Sequence, residues 1–165
     1  MKNERGFSLV ELITVIAILS IISVGVVSAF LSLSGWGVTQ TISDIEGSLK
    51  ETKMLAMSKT NATLKLSREN DVFYIAVTGE QKKKIGSVPI QISYTTTATT
   101  DTASQKVTLA NGESIILGFD RGSGAFLPIA GDASGSIYCS DITVTRGSKE
   151  KNIKLIYVTG KHYIE

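Results

Sequence analysis

The sequence predicts an α+β chain, a long N-terminal α-helix followed by an antiparallel β-sheet head. Three observations carry that expectation. Residues 12–43 contain no charged side chain, a second apolar pattern with helical spacing follows directly, and the remainder alternates with period two between tight turns. With 165 residues, 42% hydrophobic and 19% charged, the chain has room for one globular domain and an appendage. It is too apolar to be disordered.

The N-terminus divides sharply. Residues 1–6 are polar and carry Lys2, Glu4 and Arg5, while residues 12–33 are almost wholly Ile, Val, Leu, Ala, Phe and Ser. At about 1.5 Å per residue the apolar run measures roughly 30 Å, the hydrocarbon thickness of a bilayer. A soluble core helix would show a polar stripe, and here only small hydroxyls interrupt the run. Thr14, Ser20, Ser23 and Ser28 can return those hydroxyls to backbone carbonyls of the preceding turn. The run therefore reads as a membrane span.

Three devices own such an N-terminus. One is a secretory signal, with Lys2 and Arg5 as its basic part and a small-residue cut near Val27-Ser28-Ala29. Another is a plain single-span anchor. The third keeps the apolar helix and removes only what precedes it, and the residues carry a resemblance to it. Gly6-Phe7-Ser8-Leu9-Val10-Glu11, running straight into the apolar stretch, resembles the signature of type IV pilins and pseudopilins.

That resemblance implies cleavage between Gly6 and Phe7 by prepilin peptidase and N-methylation of Phe7. It implies a single-pass protein of the cytoplasmic membrane with its head outside, which later enters a pilus or pseudopilus beside other pilin subunits. Glu11 is then the fifth mature residue. A carboxylate at the edge of an uncharged span is costly unless paired, and the free amine of an adjacent subunit would pair it and fix register. The blander reading places Glu11 at headgroup level, in a first helical turn whose dipole favours an acid. The motif covers residues 6–30 and departs from many pilins in having no proline between Phe7 and Trp36.

Ser34-Gly35-Trp36-Gly37 reads as a flexible or kinked junction, with Trp36 either at the membrane interface or against the head. Val38, Ile42, Ile45, Leu49, Thr52 and Ala56 then recur at helical spacing, with Asp44, Glu46, Lys50, Glu51 and Lys53 on other faces. This stripe predicts a second helical half seated on the protein's own sheet. The expected organisation is a leader at 1–6, a transmembrane or filament-core helix at 7–33, an amphipathic half at 34–60 and a β-rich head at 61–165.

Within the head, Leu64 and Leu66 alternate with polar neighbours, and Arg68-Glu69-Asn70-Asp71 predicts a turn into residues 72–77. Residues 85–92 read as one extended piece with Gly86 and Pro89 marking an edge or bulge. The Thr-rich residues 95–104 read as an exposed loop. Asn111-Gly112 predicts a hairpin between the strands around Val107 and Ile115. Residues 137–144 and 153–158 form a final pair joined by a charged turn at 146–151. The C-terminal pattern, from Ile116-Leu117-Gly118-Phe119 to Val158-Thr159-Gly160-Lys161, is similar to minor pseudopilins of the type II secretion H-type.

Enzymatic readings find little support. One Cys and one His make neither a disulfide nor a zinc cluster, so no metal or cofactor is implied. The lone Cys139 also rules out the disulfide-closed loop common among major pilins, which favours a minor subunit. Asp120-Arg121-Gly122-Ser123-Gly124 lacks the lysine and helix of a phosphate loop. Asp132, Ser140 and Asp141 lack calcium-loop spacing, and Lys82-Lys83-Lys84 reads as a solvated turn. Nucleic acid is the alternative partner. Arg146, Lys149, Lys151, Lys154 and Lys161 make the tail basic and offer contacts to DNA phosphates as in competence-type minor pilins, or else a charged edge that resists strand pairing. A secreted binding module, cut near Phe30, stays as the other alternative.

Overall fold

The computed structural model describes residues 9–58, 62–78, 80–99, 104–132 and 134–165; within residues 22–36 it describes the backbone only. Helix α1 spans Leu9–Ser58. The chain forms two compact units, Met1–Gly35 and Trp36–Glu165, so α1 contributes to both. The boundary falls inside the Ser-Gly-Trp-Gly segment predicted as a junction, although the backbone there is helical. The side chain of Trp36 lies outside the described residues, as do Gly6 and Phe7.

In the second unit the predicted stripe is the buried face of α1. Val38, Ile42, Ile45, Leu49 and Ala56 are each at most 1% exposed, and Thr52 is fully buried. Each large member contributes about 2 kcal/mol from burial. Thr52 satisfies its hydroxyl on Ser48 O at 2.6 Å, and Thr41 donates to Ile85 O at 2.7 Å, a direct helix-to-strand bond inside the core.

Among the described residues nine strands follow, β1 (Thr63–Glu69), β2 (Val72–Val77), β3 (Lys83–Ser87), β4 (Gln91–Ala98), β5 (Ser104–Thr108), β6 (Ser114–Gly118), β7 (Ile137–Arg146), β8 (Lys149–Ile156) and β9 (Lys161–Ile164). They form a four-stranded sheet in the order β3-β2-β1-β6 and a five-stranded sheet in the order β5-β4-β7-β8-β9. All pairings are antiparallel. One hydrophobic core joins the buried face of α1 to Leu64, Leu66, Phe73, Ile75, Ile115 and Leu117 of the smaller sheet and to Ile92, Ile142, Val144, Ile153 and Leu155 of the larger.

The turns show where the sequence reading holds and where it fails. Asn70 and Asp71 both adopt positive φ, 49° and 61°, and link β1 to β2 as the two-residue hairpin the strands need. Arg68 staples this turn, pairing with Asp71 at 2.6 Å while stacking over Phe73. Asn111-Gly112 is a turn but not a hairpin, because β5 pairs with β4 and β6 pairs with β1, so the segment crosses from one sheet to the other. The Thr-rich segment is strand at both ends, and residues 100–103 lie outside the described residues. Thr95, Thr96 and Thr97 are strand residues of β4 and Ser104 opens β5, as β-branched side chains favour. The extended piece at 85–92 is two strands, split where Pro89 cannot donate to a ladder. The predicted charged turn at 146–151 shrinks to Gly147-Ser148, and β9 is an additional strand beyond the predicted pair.

Candidate functional site

The first candidate site is the N-terminal part of α1. Its described side chains, residues 9–21, show no buried face. Leu9, Val10, Leu12, Ile13, Val15, Ile16, Ile18, Leu19 and Ile21 are all between 45% and 75% exposed. Leaving nine such side chains in water forgoes on the order of 10 kcal/mol of burial. The polar members of this segment are satisfied locally, Thr14 donating to Val10 O at 2.5 Å and Ser20 to Ile16 O at 2.8 Å, as the sequence predicts. Ser23 and Ser28 lie outside the residues whose side chains are described. Glu11 is the single acid of the first turn and is exposed, so the N-terminal end of the helix dipole favours its charge. A helix apolar on every side, with one carboxylate at its start, is built to be covered by other apolar material.

Residues 1–27 match the family model described as the prokaryotic N-terminal methylation motif. This is the type IV pilin and pseudopilin cleavage signal. The motif belongs to type IV pilin-like proteins, whose precursors prepilin peptidase processes and whose subunits assemble together. No curated protein and no solved structure matches the chain. Among the described residues, no helix is long and apolar enough to cross a membrane. The part of the predicted span from 22 to 33 lies outside the described side chains.

The basic residues that the sequence singles out do not converge on one surface. In β7 and β8 the register pairs Arg146 with Lys149 and Val144 with Lys151. Strand alternation therefore puts Arg146, Lys149 and Lys151 on the side of the buried Val144 and Ile153. Arg146 reaches back over the helix, where a Cβ added to Gly37 would lie 3.2 Å from its Nη1. Lys154 and Lys161 occupy the opposite face, in register with Asp141 and Ile156, and Lys154 lies 3.9 Å from Glu165. Three cations on one side and two on the other, with Glu165 beside Lys154, do not form a single track for a phosphate backbone. Lys82 and Lys83 are each ion-paired, with Glu69 at 2.7 Å and Asp44 at 2.8 Å.

A second site, which the sequence reading missed, lies where the end of α1 meets the β8–β9 turn. Lys53 donates to Thr159 O and Gly160 O, both at 3.1 Å. Gly160 has φ +60°, and a Cβ there would lie 1.8 Å from Gly124 O. The Gly-rich loop and the C-terminal hairpin thus meet backbone to backbone, and the helix joins them through the Lys53 side chain. His162 follows in β9, half-buried, with its ring edge-on to Phe126 at 6.3 Å. The available signal was Thr159-Gly160 followed by the alternating Lys-His-Tyr-Ile, a turn and a short strand.

The remaining sequence candidates are structural in geometry. Asp120 accepts from the Ser123 hydroxyl and amide, and these bonds hold its carboxyl below the usual range. Asp132 accepts from Ser134, Ser136 and Ile137, which brings its pKa down to about 2. Both close turns. Cys139 is buried in the core of the larger sheet.

Proposed function

We propose that the chain is a non-enzymatic minor subunit of a type IV pilus or a type II secretion pseudopilus. Prepilin peptidase cuts between Gly6 and Phe7 and Phe7 is methylated. Before assembly the apolar run at 12–33 holds the protein in the cytoplasmic membrane, with the β-rich head outside. In the filament that run packs against its equivalents by close van der Waals contact, and Glu11 meets the amine of Phe7 on an adjacent subunit. The observation that carries the reading is the methylation motif leading directly into a helix apolar on all sides, with Glu11 in its first turn. The solitary, buried Cys139 supports a minor role, since it leaves no disulfide to close a C-terminal loop.

N-terminal mass analysis of the mature protein tests this directly. The expected product begins at N-methylated Phe7; a product beginning near Phe30, or one retaining Met1 inside finished filaments, refutes it. Glu11→Ala separates processing from assembly. It should be inserted, cut and methylated normally yet fail to enter filaments, and normal incorporation would remove the proposed pairing.

A further inference from the structure

The C-terminal end of α1 gathers most of the soft donors in the chain. Three methionines, one histidine and one cysteine make up that inventory. Met54, Met57 and His162 line one groove of about 440 Å³ together with Lys50, Lys53 and Ser58. Met54 and Met57 are one turn apart and unusually open for apolar side chains, 66% and 50% exposed. His162 places Nδ1 3.4 Å from Gly160 O. With the proton on Nδ1 and donated there, Nε2 is a bare lone pair, and it is buried with no hydrogen-bond partner. A ligating imidazole is typically oriented this way, its second nitrogen held by a carbonyl. Met57 lines the same groove and reaches the Gly-rich loop. Its Sδ lies 3.0 Å from the Cβ position of Gly124, whose carbonyl abuts Gly160.

We propose that Met54, Met57 and His162 form a binding site for a soft monovalent cation, Cu(I). Two thioethers and a neutral imidazole are the donor set that favours Cu(I), and hard cations find no carboxylate among the groove residues. Charge selects against divalent ions. Lys50 is paired with Glu46 at 2.8 Å and Lys53 is held by two carbonyls, and the positive potential they leave opposes a double charge twice as strongly as a single one. In the other direction, α1 has no basic side chain in its last turn, so its carbonyl end favours a cation beside Met57.

The test is titration of the full chain in detergent micelles with Ag(I), a monovalent analogue, and with Cu(I) in competition with a chromophoric chelator. Methionine methyl and histidine ring NMR signals report the ligands. The Met54, Met57 and His162 signals should shift together and saturate at one equivalent, with the Met1 methyl unmoved. Met54→Leu/Met57→Leu, which alters exposed positions, should keep the fold by circular dichroism and weaken binding at least tenfold. Absence of saturation at one equivalent overturns the proposal. So does undiminished binding by the double variant, which would assign the ion to Cys139 or Met1, or equal occupancy by Zn(II).

Discussion

Gly160→Ala should be among the most damaging single-methyl changes in the head. Two separable costs act there. The backbone holds φ +60°, where a side chain costs roughly 1–2 kcal/mol. The new methyl would also stand 1.8 Å from Gly124 O, 2.9 Å from Gly124 C and 3.1 Å from Lys53 Nζ. The first two contacts are with backbone, so relief requires the β8–β9 turn to move away from the Gly-rich loop. Such overpacking costs about 1–3 kcal/mol, and the movement weakens the charge-assisted bonds from Lys53 to Thr159 O and Gly160 O. The expected total is about 3–5 kcal/mol, a large share of the ~5–15 kcal/mol that holds a typical domain folded. Gly147→Ala supplies the control, because Gly147 has φ +59° with nothing within 4 Å and should lose only the backbone part, about 1–2 kcal/mol. Urea unfolding of both variants, followed by circular dichroism of the full chain in detergent, gives the difference. Equal destabilisation of the two would refute the steric contact.

Two further outcomes follow from the core and the turns. Leu49→Ala removes a fully buried side chain from the centre of the helix–sheet core and should cost about 2–5 kcal/mol by the same unfolding measurement. Asp132 has a pKa depressed to about 2 by its hydrogen bonds from Ser134, Ile137 and Ser136; its contribution is present above pH 3.8 and is lost as pH falls through about 2. Asp132→Asn should accordingly flatten the acid limb of the stability–pH curve in that window and leave the curve unchanged in shape near neutrality.

Period and amphipathicity made the helix legible. Every member of the stripe from Val38 to Ala56 is buried, because a helix that seats a sheet must repeat its apolar face every three or four residues. The N-terminal methylation motif was legible for a different reason, being a local pattern whose meaning does not depend on tertiary context. Sheet membership was not legible. Asn111-Gly112 has hairpin chemistry, yet the strands on either side belong to different sheets, and a turn's local preference carries no information on which strand pairs with which. The ends of the Thr-rich stretch are strand where polarity predicts a loop, because threonine's branching suits a strand whose outer face meets water. The groove was illegible because Met54 and His162 are far apart in sequence, and only the antiparallel return of β9 along β8 brings them to one place.

The way Cys139 is enclosed has a practical use. It is 2% exposed, and burial pushes its thiol up to about 12, so almost no thiolate exists near neutral pH to attack an electrophile. The native chain therefore offers a silent background for maleimide chemistry. One engineered cysteine at an open position such as Ser43 or Gly47 would be the sole reactive handle, ready for crosslinking that tests the proposed packing of one copy against the next.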